Sequence, residues 1–80
     1  MPEMKEYQSS QIHSIGFDED AGEVHIRFRD RTRKDGTVVP GATYAYPDCS
    51  VEDHAHLCGA ESIGSWFHKY FRGRECRRVE

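Results

Sequence analysis

The sequence predicts an α+β domain in which the strands come first and the helices last. Three observations carry this. Apolar and polar side chains alternate along stretches of residues 11–46, turn-forming residues punctuate those stretches at Asp18–Gly22 and Asp35–Gly36, and two serine-capped stretches with helical apolar spacing fill residues 50–72. The predicted element order is β-β-β-α-α.

Residues 1–8 are polar and read as a loose lead-in, so the domain proper spans residues 9–80. Residues 11–17 place Ile12, Ile15 and Phe17 in a short strand with one irregularity before Gly16. Asp18–Gly22 is a turn in which Gly22 is free to take positive φ. A second strand starts at Glu23 and points Val24, Ile26 and Phe28 into a core. Asp35-Gly36 suits a type I′ hairpin turn, so this strand is expected to reach about Arg33 and the chain to return from Thr37 to Tyr46, with a bulge at Pro40-Gly41. The alternative is an unstructured loop from Asp30 to Ala42. Ser50 and Asp53 form a capping-box pair before a helix over about residues 51–59. Ser62 caps a second helix to about Arg72, with Ile63, Phe67 and Phe71 facing the sheet and Trp66 and Tyr70 nearer its edge.

The second strand also carries Arg27, Arg29, Arg31 and Arg33 at every second position. In one continuous strand these four guanidinium groups share a face at a spacing of about 7 Å and repel one another. The expected partner stretch, residues 37–46, holds no carboxylate. The row therefore calls for an anionic partner.

Eighty residues make a single domain with a lean core and little room for an enclosed active-site cavity. The net charge of −3 conceals segregation, with cationic blocks at residues 27–34 and 62–80 set in an acidic body. Such a dipolar surface orients encounters with a charged partner. Three cysteines without framework spacing point to reduced thiols, and no apolar run suits a signal peptide or a membrane span. The expected location is the cytoplasm, that of the bacterial host if the protein is phage-encoded.

Ser9-Ser10-Gln11-Ile12, Ile15-Gly16-Phe17-Asp18, the Val24/Ile26/Phe28 strand and Tyr44-Ala45-Tyr46, followed by Leu57, Ala60, Ser62, Gly64, Trp66-Phe67 and Phe71-Arg72, resemble the KTSC domain in order and spacing. This small domain occurs in bacterial and phage proteins and at the C-terminus of some lysyl-tRNA synthetases. The resemblance covers about three quarters of the chain. It implies a three-stranded antiparallel sheet with two C-terminal helices packed on one face, and no catalytic residue set. The chain departs from the family in a lengthened stretch from Arg31 to Ala42, in Cys49-Ser50 where the family has Val-Pro, and in His68 where it has Asn.

Cys49, His54, His56 and Cys58 are candidate zinc ligands, and His54 and Cys58 share a helix face. His56, however, lies about 200° around the helix from His54, so the four cannot converge, and no metal site is expected. A Cys58 nucleophile with His54 as base lacks an orienting third group. His13, His25 and His68 read as isolated surface residues, and no phosphate-binding glycine loop is present. No cofactor and no enzymatic activity are expected.

The candidate partner-binding residues are Arg27, Arg29, Arg31 and Arg33 in the first block and Lys69, Arg72 and Arg74 beside Trp66 and Tyr70 in the second. Arginine forks suit carboxylate or phosphate, and neighbouring aromatics suit a buried interface or base stacking. The favoured reading is a protein-interaction module that docks its arginine hairpin on an acidic surface of a larger nucleic-acid-handling complex. A phage-encoded inhibitor of bacterial defence, of the anti-CRISPR type, fits this description. The alternative is direct binding of RNA or single-stranded DNA, against which the pI near 5.9 weighs. Neither a membrane nor a small-molecule substrate is expected as partner.

Overall fold

A computed structural model describes residues 2–80. Its elements are β1 (Lys5–Glu6), β2 (Ile12–Asp18), β3 (Glu23–Phe28), β4 (Arg31–Thr32), β5 (Val38–Val39), β6 (Thr43–Tyr46), α1 (Val51–Cys58), α2 (Ile63–Tyr70) and β7 (Arg77–Arg78). The α+β class holds and six strands precede the two helices, but a further strand, β7, follows them and the sheet is larger than expected. It has five antiparallel strands in the order β1-β2-β3-β6-β7, and β4 and β5 form a separate two-stranded sheet. Lys5-Glu6 and Arg77-Arg78, the strands that sequence pattern did not reveal, lie at the two edges. Each is a pair of charged residues without the apolar alternation that marks a strand.

The register of the main sheet explains its core. At the start of β2 the pairing with β3 shifts between Ile12 and Ser14, so Ile12 and Ile15, three residues apart, both become core residues. Ile12, Val24, Ile26 and Leu57 are fully buried, as is nearly all of Phe71. Leu57 is the buried residue of α1, whose capping box is complete, with Asp53 N–H donating to Ser50 Oγ and Ser50 N–H to Asp53 Oδ2. The Phe67 ring of α2 meets Phe28 and Tyr46 edge-on, at centroid distances of 5.2 and 5.9 Å.

The segment expected to be a loose lead-in supplies β1, paired through Lys5 with Ile15 and Glu6 with Ser14. It is tied down by Arg29, which donates from Nε to the Ser9 carbonyl at 2.6 Å and from Nη2 to that of Tyr7 at 2.9 Å. Residues 3 and 4 lie over Gly16, where a Cβ would stand 2.7 Å from both the Glu3 carbonyl oxygen and Met4 Sδ. This crossing is on the sheet face away from the helices, beside His25, the register partner of Gly16.

The long continuous hairpin expected from residue 23 to residue 46 is broken. β3 ends at Phe28, and on the return residues 40–42 separate β5 from β6. Gly41 packs against the Phe28 backbone, Phe28 N–H donates to the Ala42 carbonyl at 3.0 Å, and Gly41 N–H donates to Asp30 Oδ1 at 2.8 Å. Beyond this junction β4 and β5 form an ordered arm rather than a loop. Its turn is not type I′, because among the described residues Asp48 alone combines positive φ with a side chain, which leaves Asp35 at negative φ. Gly36 N–H and Arg33 N–H instead bond the carbonyls of Arg33 and Thr37, enclosing a three-residue turn over Lys34–Gly36 with Gly36 at φ 89°.

Candidate binding groove at the foot of the arginine arm

The break in the hairpin distributes the arginine row over separate surfaces, which corrects the expected single comb. Arg27 projects from β3 on the face away from the helices, among Glu6, His13 and Ser14. Arg29 turns back to hold the N-terminal segment, Arg31 faces the helix side, and Arg33 stands at the tip of the arm. The ion pairs among the described residues are His13–Glu6, His25–Glu23 and Arg77–Glu23. None involves these four arginines.

The second cationic block divides as well. The Trp66 and Tyr70 rings pack against each other, tilted, at 4.4 Å on the flank of α2 that faces α1, where the His56 ring lies 6.0 Å from Trp66. Lys69 Nζ lies 5.4 Å from the Tyr70 ring centroid, and Arg72 is exposed. Arg74 packs over Phe71 at 4.8 Å and donates to Cys49 Sγ at 3.4 Å, and so serves the core edge.

Between the arm and the opposite flank of α2 lies a groove of about 530 Å³. Phe28, Tyr44 and Phe67 supply its aromatic surfaces, the Val39–Gly41 stretch forms the arm side, and Arg31 and Arg78 contribute cations. Among the described residues no aspartate or glutamate lines it, although the chain has fourteen acidic residues. His68 shares a 2.9 Å hydrogen bond with Gln11 Oε1, which joins α2 to the residue before β2 on the groove wall. Of the sequence candidates, Arg29 and Arg31 line this groove. Phe28, Tyr44 and His68 were missed, and Arg78 was counted only within the second cationic block, because these residues converge only through the chain reversal at Gly41 and the edge strand β7. The one sequence signal for that reversal was Pro40-Gly41.

Two further clusters bear on chemistry. His54 Nε2 and Cys58 Sγ meet at 3.3 Å, as the shared helix face required, whereas His56 lies by Trp66 and Cys49 is buried beside Arg74. Burial raises the pKa of the Cys58 thiol and lowers that of His54, whose ring stacks on Phe17 at 5.3 Å. Both shifts oppose a thiolate–imidazolium pair. Burial, aided by the neighbouring Cys58, pushes the Tyr7 hydroxyl up to about 12.

On the other face of the sheet, donor atoms of Asp18, Glu23 and His25 all lie within 4.8 Å of one another. His25 is 4 % exposed, which corrects its reading as a surface residue. Arg77 pairs through both guanidinium Nη atoms with the Glu23 carboxylate and holds its pKa below the ordinary range.

The sequence model of the KTSC domain matches residues 8–74. The crystal structure of a KTSC domain protein from Yersinia pestis superposes with a TM-score of 0.78 at 28% identity, covering 100% of both chains. A comparison with curated proteins found no match. No helix among the described residues is long and apolar enough to cross a membrane.

Proposed function

The chain belongs to the KTSC domain family, and we propose that it is a non-catalytic binding module that docks on a larger nucleic-acid-handling protein complex. The groove at the foot of the arm takes an extended acidic segment of that partner. The observation that carries this reading is the lining of the groove, with three aromatic rings, arginines from the arm and from β7, and no carboxylate. Apolar anchors of an acidic segment bury against Phe28, Tyr44 and Phe67 while its carboxylates meet Arg31 and Arg78. A phage-encoded inhibitor of bacterial defence, of the anti-CRISPR type and working in the host cytoplasm, is one role of this kind. Small size and the dipolar charge layout support it.

Direct binding of RNA or single-stranded DNA is the second reading, and the aromatic surfaces of the groove favour it, since bases stack on such rings. Against it stand the net charge of −3 and the dispersal of cations over separate surfaces. The test is fluorescence anisotropy with a glutamate-rich peptide carrying one phenylalanine and, separately, a polythymidine oligonucleotide. Docking requires peptide binding that Arg31→Glu combined with Arg78→Glu abolishes without loss of fold. Oligonucleotide binding with a steep salt dependence, and none of the peptide, establishes the second reading instead.

A further inference from the structure

We propose that Asp18, Glu23 and His25 form a binding site for a divalent transition-metal ion, a site that Arg77 covers with its guanidinium and yields by swinging out. The starting point is His25. Its side chain is 5% exposed, yet neither ring nitrogen has a hydrogen-bond partner among the described residues. The nearest charged group is Glu23, with Oε1 3.5 Å from His25 Nε2. A buried polar group without a partner calls for a physical reason, and an ion or water is the usual one.

The sheet explains why these donors converge. Glu23 and His25 are two residues apart on β3 and so share a face, and Asp18 is the register partner of Glu23 on β2. Donor atoms within 4.8 Å of one another need only side-chain adjustment to surround an ion at about 2.0–2.2 Å. Asp18 is only half buried and sits at the start of a turn, which leaves a path from solvent. One imidazole with two carboxylates suits ions such as Zn²⁺ or Mn²⁺ better than Mg²⁺ or Ca²⁺, which take oxygen alone.

Arg77 is the competing cation. It bonds both Glu23 oxygens, but its side chain is 57% exposed and comes from a two-residue edge strand, so it can turn into solvent. A metal and the guanidinium would exchange on the same carboxylate. Arg77 also lies beyond the stretch matched by the family's sequence model.

The experiment is calorimetric titration of the full chain with Zn²⁺, together with Co²⁺ absorption. Arg77→Gln should tighten Zn²⁺ binding by roughly tenfold or more, on the scale by which groups around a metal's ligands tune affinity. Adding His25→Ala or, as the milder change, Asp18→Asn to that variant should return binding to the background, with circular dichroism confirming the fold. The Co²⁺ adduct should show visible bands without the near-ultraviolet sulfur band that Cys58 with His54 would give. Unchanged affinity in Arg77→Gln, retention of binding after loss of His25 or Asp18, or a sulfur band would each overturn the proposal.

Discussion

Replacing Gly41 with alanine should unseat the arm and with it the groove. The added Cβ would stand 1.8 Å from the Phe28 carbonyl oxygen, against an ordinary contact that begins at 3.4 Å, and 2.9 Å from the Arg29 carbonyl carbon. These are backbone atoms, so no side chain can rotate away. Separating them requires a shift of about 1.6 Å, enough to carry Phe28 N–H from the Ala42 carbonyl and Gly41 N–H from Asp30 beyond hydrogen-bonding range. Two lost bonds at about 1 kcal/mol each, with overpacking strain of about 1–3 kcal/mol, give a destabilisation of about 3–5 kcal/mol. If the arm detaches locally, part of this is relieved. A domain of this size has about 4–12 kcal/mol in all. Urea unfolding followed by circular dichroism should show a lower midpoint at unchanged slope, and amide exchange at Val38 and Val39 should accelerate. A midpoint equal to that of the unsubstituted chain, with those amides still protected, would refute the reasoning.

Further outcomes follow from other contacts. Arg29→Met removes both bonds to the Ser9 and Tyr7 carbonyls, at a cost of about 1–3 kcal/mol for charge-assisted but half-exposed bonds. Amide exchange in residues 5–7 should accelerate, whereas Arg27→Met should leave it unchanged. Alkylation should reach exposed Cys76 before Cys58 and Cys49, because burial raises the pKa of both of the latter thiols. Mass spectrometry of a labelling time course checks the order. The Arg77 guanidinium holds the Glu23 carboxyl below its ordinary 4.5, so its contribution to stability is complete above that value and lost as pH falls through the folded-state value. Thermal melts across the acid range should therefore fall less steeply for Arg77→Gln than for the unsubstituted chain.

The elements that sequence made legible are those whose pattern is local. The apolar alternation of Val24, Ile26 and Phe28 marks β3, Ser50 with Asp53 marks the start of α1, and Phe67 and Phe71 mark the buried stripe of α2. The edge strands carry no such pattern, since they are held by pairing with β2 and β6 rather than by side-chain burial. The regular spacing of the arginines suggested one uninterrupted strand. A junction built by Gly41 and Asp30, eleven residues apart, ends that strand at Phe28. The groove was hidden for the same reason, since Arg78 and Tyr44 meet only through the pairing of β6 with β7. His25 looked like a surface residue because nothing local marks its face as covered, although Glu3 and Met4 cross over its register partner Gly16 there, a long-range contact between segments with no shared motif.

Docking in the groove is tested most directly by a ¹⁵N NMR titration of the full chain with the glutamate-rich, phenylalanine-bearing peptide, using polythymidine as competitor. The expected result is saturable shifts confined to Phe28, Arg31, residues 39–44, Phe67, His68 and Arg78, which disappear on charge reversal of Arg31 and Arg78 and resist the oligonucleotide. Shifts centred on Arg27 or on Trp66 and Tyr70, or groove shifts produced by the oligonucleotide alone, would contradict it.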